Sequence, residues 1–157
     1  MRNILLAALS LLLMWLPCEA VETKIPLSLE FARTQDERAT GLMGRHSLPD
    51  NHGMLFCYKE PEIISVWMYN CYIDLSVAFI DSNKMITEIH DLKAYPEAMK
   101  LPESLRKEFF QFTAVGSKVP VFYSLEVPMG WFQAHGIIVG DTLELIPNSV
   151  AAYIIHK

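Results

Sequence analysis

The sequence predicts a mainly β protein: a compact β-sandwich or barrel with one to three short helices. Three observations carry that expectation. Apolar residues alternate strictly at Ile25, Leu27, Leu29 and Phe31 and again at Val121, Tyr123, Leu125 and Val127, the period of a strand with one buried face. The runs 63–69 and 75–80 are apolar on both parities, as in strands covered on both sides. Turn formers such as Pro49, Asp50, Asn51 and Gly53 punctuate these runs at short intervals. With 52% hydrophobic and 20% charged residues in 157, the chain can build one packed core, and residues 21–157 are expected to form a single domain.

In chain order, the strand over 25–31 is followed by Thr34 and Glu37, spaced as a capping box whose hydroxyl and carboxylate satisfy free backbone donors at a helix start. Gly44 supplies a stop, so a short helix is expected over 35–43. Met54–Tyr58 is an apolar run too short for a helix and reads as a buried strand. The next strand, 63–69, is expected to pair with it as a hairpin about Pro61, and 75–80 follows. Asp81, Ser82, Asn83 and Lys84 form a tight turn into a strand at 85–90. Pro96 and Pro102 then break the β rhythm, and Leu105, Phe109 and Phe112 recur at helical spacing. The 121–127 strand, a helical turn at 131–135 ending at Gly136, a strand at 142–146 and a last one at 153–155 complete the pattern.

The first twenty residues have another character. Arg2 carries positive charge, and Ile4–Leu16 is an uncharged, Leu-rich run of 13 residues, short of the roughly 18 needed to cross a bilayer. A cleaved signal peptide is expected over residues 1–20, with cleavage after Ala20 and export to the periplasm or the extracellular space. Lipid attachment at Cys18 is disfavoured, because Trp15, Leu16 and Pro17 are not the small residues that such processing requires. Removing this leader leaves the net charge at -5 and two cysteines. No run of basic residues could track a phosphate backbone, so nucleic acid is not an expected partner.

Two cysteines in an oxidising compartment admit a Cys57–Cys71 disulfide, worth about 3 kcal/mol by loop-closure entropy. The hairpin register about Pro61 instead leaves them about 17 Å apart, beyond bonding reach. Both states stay open at this point.

The usual catalytic motifs do not occur: no Gly-x-Ser-x-Gly elbow, His-Glu-x-x-His helix, Cys-x-x-Cys pair or Gly-rich phosphate loop. A thiol enzyme would need Cys57 or Cys71 beside His46, His52 or His90, yet both thiols lie in apolar strands where they are normally inert. Met43, Met54 and Met68 with His46 and His52 could form a soft-ligand set for Cu(I), although methionine in buried strands is more often gap-filling core. No resident cofactor or metal is expected. Arg33 shares the parity of Leu29 and Phe31, which aims a permanent charge at the core or its rim. Glu126, alternating away from Leu125 and Val127, is the expected partner. Trp67, Tyr69, Tyr72 and Trp131 could offer an aromatic platform, and Gly140 with Asp141 reads as a turn.

Four blocks carry a resemblance: Ala-Arg-Thr at 32–34 running into Gly-Leu-Met at 41–43, Gly-Met-Leu-Phe at 53–56, Trp-Met-Tyr-Asn at 67–70, and Leu-Glu at 125–126 with Gly130, Gly140 and Asp141. In order and spacing they resemble the domain of unknown function 192 family over nearly all of the chain after the leader. The resemblance implies a compact β-sandwich or barrel with a short helix, frequently behind an export signal, and implies no reaction. Where the family usually has Lys, Asn and Thr after Trp-Met, this chain has Tyr69, Asn70 and Cys71.

The functional expectation is a monomeric, non-enzymatic exported binding or accessory module for a small polar ligand, a glycan or an envelope component. Its candidate residues are Arg33, Arg45, Trp67, Asn70 and Glu126. The alternatives are a hydrolase-like enzyme with an unfamiliar site at Glu126 or Asp141, and a structural envelope protein without a small-molecule site.

Overall fold

The computed structural model describes residues 22–156; the expected signal peptide and Cys18 lie outside them. Nine strands and three short α-helices follow in the order β1 (Thr23–Ala32), α1 (Gln35–Thr40), β2 (His52–Glu62), β3 (Ser65–Val66), β4 (Leu75–Ile80), β5 (Ile86–Leu92), α2 (Glu103–Phe112), β6 (Val115–Gly116), β7 (Val121–Pro128), α3 (Trp131–Ala134), β8 (Thr142–Leu145) and β9 (Ala151–His156). A single 3₁₀ segment, Pro96–Lys100, precedes α2. Seven strands form one sheet in the order β5-β4-β7-β2-β1-β9-β8, and β3 pairs only with β6. The fold is mainly β, a curled half-barrel of seven strands with three short helices.

Alternation along each strand divides the sheet into two apolar faces. On the inner face, side chains from all seven strands converge: Leu29, Leu55, Ile80, Ile86, Leu125, Leu143 and Ile154 among them, capped by Trp131, Phe132 and Ile137 from the α3 region. On the outer face Met54, Phe56, Val77, Phe79 and Val121 pack against Val66, Met68 and Cys71 of the 64–75 segment and against Phe110 of α2. All six residues of β4 are buried, as its apolar character on both parities requires.

The two edges of the sheet approach each other. At the start of β5 and the start of β8, Ile86 N donates to Asp141 O at 2.8 Å, Gly140 N to Ile86 O at 2.9 Å and Leu143 N to Lys84 O at 2.8 Å. Asp81 builds the turn that brings this corner round, accepting Asn83 N and Met85 N on its carboxylate.

The capping box forms as expected: Thr34 Oγ1 accepts Glu37 N, and the Glu37 carboxylate accepts Thr34 N and Arg33 N. The helix stops at Thr40 rather than 43, because Gly41 turns to a positive φ of 46°. A larger correction concerns 63–69. The chain does not turn at Pro61: β2 runs through it to Glu62, and 67–70 is loop. The reason is that β2 already has β1 on one side and β7 on the other, so no free edge remains for a hairpin partner. The parallel β1–β2 pairing, with α1 in the crossover, takes that place. Among the described residues, no helix is long and apolar enough to cross a membrane.

Candidate functional site

The register of β7 decides which side chains reach which face. Leu125 and Val127 enter the inner core, so Ser124 and Glu126 point outward. Glu126 sits in the middle of the sheet, opposite Met54 on β2 and Val77 on β4. Ser124 lies between Phe56 and Phe79 on the same two strands. Apolar side chains therefore surround both polar groups within the sheet plane.

Two segments roof this patch. Arg38 to Met43 comes from the end of α1 and the turn after it, and Val66 of β3 with Trp67, Tyr69 and Cys71 of the loop that follows supplies the second. The roof leaves a cavity of about 80 Å³ with Glu126, Ser124 and Tyr58 in its wall. Gly41 allows the close seat of the first segment: a Cβ there would lie 3.0 Å from Phe56 Cζ. Trp67 and Tyr69 stack at 5.2 Å between ring centroids, and Tyr69 meets Phe110 edge-on.

Glu126 is only 6% exposed and has no hydrogen-bond or ion-pair partner among the described residues. Desolvation raises its pKa to about 8, so the carboxyl is largely neutral at neutral pH. That outcome follows from magnitude, since leaving a carboxylate ionised and unpaired in such a place would cost many kcal/mol. Ser124 Oγ, with the Tyr58 hydroxyl facing it, also makes no complete hydrogen bond. Burial pushes the Cys71 thiol up to about 12, with the nearby Glu126 adding to the effect, so it is no nucleophile near neutrality. The residues around the cavity include no histidine. The arrangement offers hydrogen bonds and aromatic walls and lacks a nucleophile–base pair.

The expected site residues separate. Trp67 and Glu126 share the cavity, together with Met43. Arg33 does not pair with Glu126. It is exposed, with its guanidinium 4.0 Å from the centre of the Phe31 ring, on the opposite face of the sheet. Parity explains the miss: Arg33 alternates with the inner-face residues Leu29 and Phe31, whereas Glu126 alternates against inner-face Leu125 and Val127. Arg45 is engaged by Glu30 in a two-pronged ion pair at 2.5 and 2.7 Å, away from the cavity. Asn70 shapes the loop, with φ of 55° and its carbonyl accepting Gly44 N at 2.8 Å.

The soft-ligand set is dispersed as well. Met54 and Met68 are buried in the outer-face core, His46 stacks on Tyr72 at 4.6 Å, and His52 Nδ1 lies 3.1 Å from Asp50 O. Among the described residues, no three His, Cys, Asp or Glu side chains are grouped to hold a metal ion. Cys57 and Cys71 are free, and they cannot meet: Cys57 packs with the inner-face cluster and Cys71 belongs to the outer one. Asp141 is a structural clasp, accepting Ile138 N at 2.9 Å and contacting His156 Nδ1 at 3.0 Å. Sequence reasoning missed Ser124, Tyr58 and Arg38. The parity of Ser124 with Glu126 on one strand was the signal available for the first.

Fold and cavity together define a half-barrel β protein with a small polar pocket, roofed by two loops, on the outer face of its sheet. Residues 19–145 match the model of the domain of unknown function 192 family, described as Uncharacterized ACR, and the chain belongs to that family. Two solved structures are similar to it. One, a "putative transcription regulator" from Sinorhizobium meliloti 1021, is 31% identical with a TM-score of 0.62, covering 74% of this chain and 79% of that one. The other, a protein of unknown function from Novosphingobium aromaticivorans DSM 12444, is 27% identical with a TM-score of 0.61, covering 76% and 83%. No curated protein matches the chain.

Proposed function

We propose that the protein is an exported, non-enzymatic binding module that takes a small polar group of an envelope component into the pocket at Glu126. One observation carries the reading: Glu126, a residue only 6% exposed and without a hydrogen-bond or ion-pair partner among the described residues, stands in the wall of a cavity. An unsatisfied buried polar group costs about 1–3 kcal/mol, and a ligand that satisfies it recovers that energy on binding. The leader over residues 1–20 supports export, and the raised Cys71 thiol and absence of histidine around the cavity favour binding over covalent chemistry.

An array of envelope glycans and peptides, probed with the exported protein and with Glu126→Gln, tests the proposal. Saturable binding without turnover, weakened by the substitution, is the expected result. Turnover that disappears in Glu126→Gln would replace this reading with the hydrolase-like one, in which the neutral carboxyl serves as a general acid. Retrieval of the protein with its first residue at Val21 from the exported fraction is the expected result for the leader.

A further inference from the structure

Resting on the Glu126 pocket as a binding site, we propose that the group it accepts is a primary ammonium, ion-paired to the Glu126 carboxyl and bonded to the Ser124 and Tyr58 hydroxyls between aromatic walls. An ammonium presents three donors and no acceptor. The cavity offers the complement: a carboxyl without a partner, a serine oxygen without a complete bond and a phenol oxygen facing it. Phe56, Tyr58, Trp67 and Tyr69 line the same space, and ring faces favour a desolvated cation. About 80 Å³ holds the ammonium end of a ligand with a carbon or two, leaving the remainder to pass between the two roof segments.

The nearest cation of the protein does not fill this role. Arg38 donates to the carbonyls of Arg33 at 2.8 Å and Cys57 at 3.1 Å, and its guanidinium lies 4.8 Å from the centre of the Tyr58 ring. These contacts hold it on the α1 side of the pocket. An anionic ligand fits less well, because it would meet a carboxyl as its deepest neighbour while the guanidinium is committed to backbone oxygens.

Binding has a proton balance. Glu126 is raised to about 8 and enters the reaction as the neutral acid, so pairing with an ammonium releases its proton to solvent. The groups facing it are Tyr58 from β2, Cys71 and Tyr69 from the loop and Arg38 from α1, while β4 presents apolar Val77. Burial pushes both Tyr58 and Cys71 further above neutrality, which leaves Glu126 to release the proton.

The test uses methylammonium chloride, sodium acetate and methanol as probes at matched ionic strength, with the protein purified after export from cells expressing the full chain. Backbone amide shifts of Gly41 and Cys71 and the Trp67 indole resonance report occupancy, and a pH indicator in weak phosphate buffer reports protons. Methylammonium is expected to saturate with a dissociation constant on the order of millimolar, the limit for so few atoms. It should release up to one proton per site at pH 7 and bind roughly tenfold tighter per pH unit between 6 and 7.5. Glu126→Gln, its fold checked by its amide spectrum, should lose at least tenfold in affinity together with the pH dependence; Ser124→Ala should weaken binding while keeping that dependence. Acetate or methanol saturating these resonances while methylammonium does not would overturn the ammonium assignment and leave the binding pocket standing. Failure of all three to perturb them would overturn both.

Discussion

A Cβ atom at Gly53 would lie 2.8 Å from the carbonyl oxygen of Glu126, so the start of β2 and the Glu126 stretch of β7 approach as closely as a glycine permits. The same position would meet Val127 Cγ1 at 3.0 Å and Leu125 Cδ1 at 3.1 Å. The nearest of these obstacles is backbone, which cannot swing aside as a side chain can. Gly53→Ala is expected to cost about 1–3 kcal/mol, the range for overpacked cores. A urea titration checks this, and an unchanged midpoint would show that β2 and β7 yield more easily than packed strands do. Because Glu126 is carried on the displaced strand, amide resonances around the pocket should shift as well.

The Glu126 carboxyl makes stability depend on pH in a direction opposite to that of most carboxylates. Its pKa is about 8 in the folded chain against an ordinary value of 4.5, so between these limits the unfolded chain is ionised while the folded one holds its proton. Stability from this group is complete below pH 4.5 and falls as pH rises through 8, by an amount on the order of a few kcal/mol. Glu126→Gln should match the parent near pH 5 and exceed it near pH 8, measured as urea midpoints at each pH. Parallel curves for the two proteins would mean that Glu126 finds a cation in solution that the fold does not provide.

Cys57 and Cys71 are expected not to pair with each other even under oxidising conditions, because the sheet stands between them. Both thiols are raised by burial, Cys71 to about 12. The melting temperature should be the same with and without reductant, and a thiol reagent at pH 8 should label Cys71 only after denaturant is added. An intact mass 2 Da below that of the reduced chain, the loss of two hydrogens on forming an S–S bond, would contradict this assignment.

What the residues reveal in isolation is the local period. The alternation at 25–31 and 121–127, the capping box of Thr34 and Glu37 and the all-buried run at 75–80 each encode an environment in their own side chains, and each forms. Partners are encoded elsewhere. Whether 63–69 joins β2 depends on whether β1 and β7 have already occupied its two edges, and β7 is contributed by residues about sixty positions downstream. The pocket was half legible for the same reason. Glu126 stands out as a charge in an apolar strand, but its isolation from Arg33 follows from the facing of two strands that lie apart in the chain. Trp67 was legible as a candidate, whereas its placement in a roof rather than a strand depends on the β3–β6 ribbon.

The three backbone bonds that join the start of β5 to the start of β8 bear on association between molecules. An open seven-stranded sheet would present two rows of unpaired amide and carbonyl groups, each a template for another chain. Here part of each row is spent on the other, and the amides of Ile86, Gly140 and Leu143 are already used and have no donor to offer a neighbour. Strand addition by another chain is thereby denied these donors at this corner.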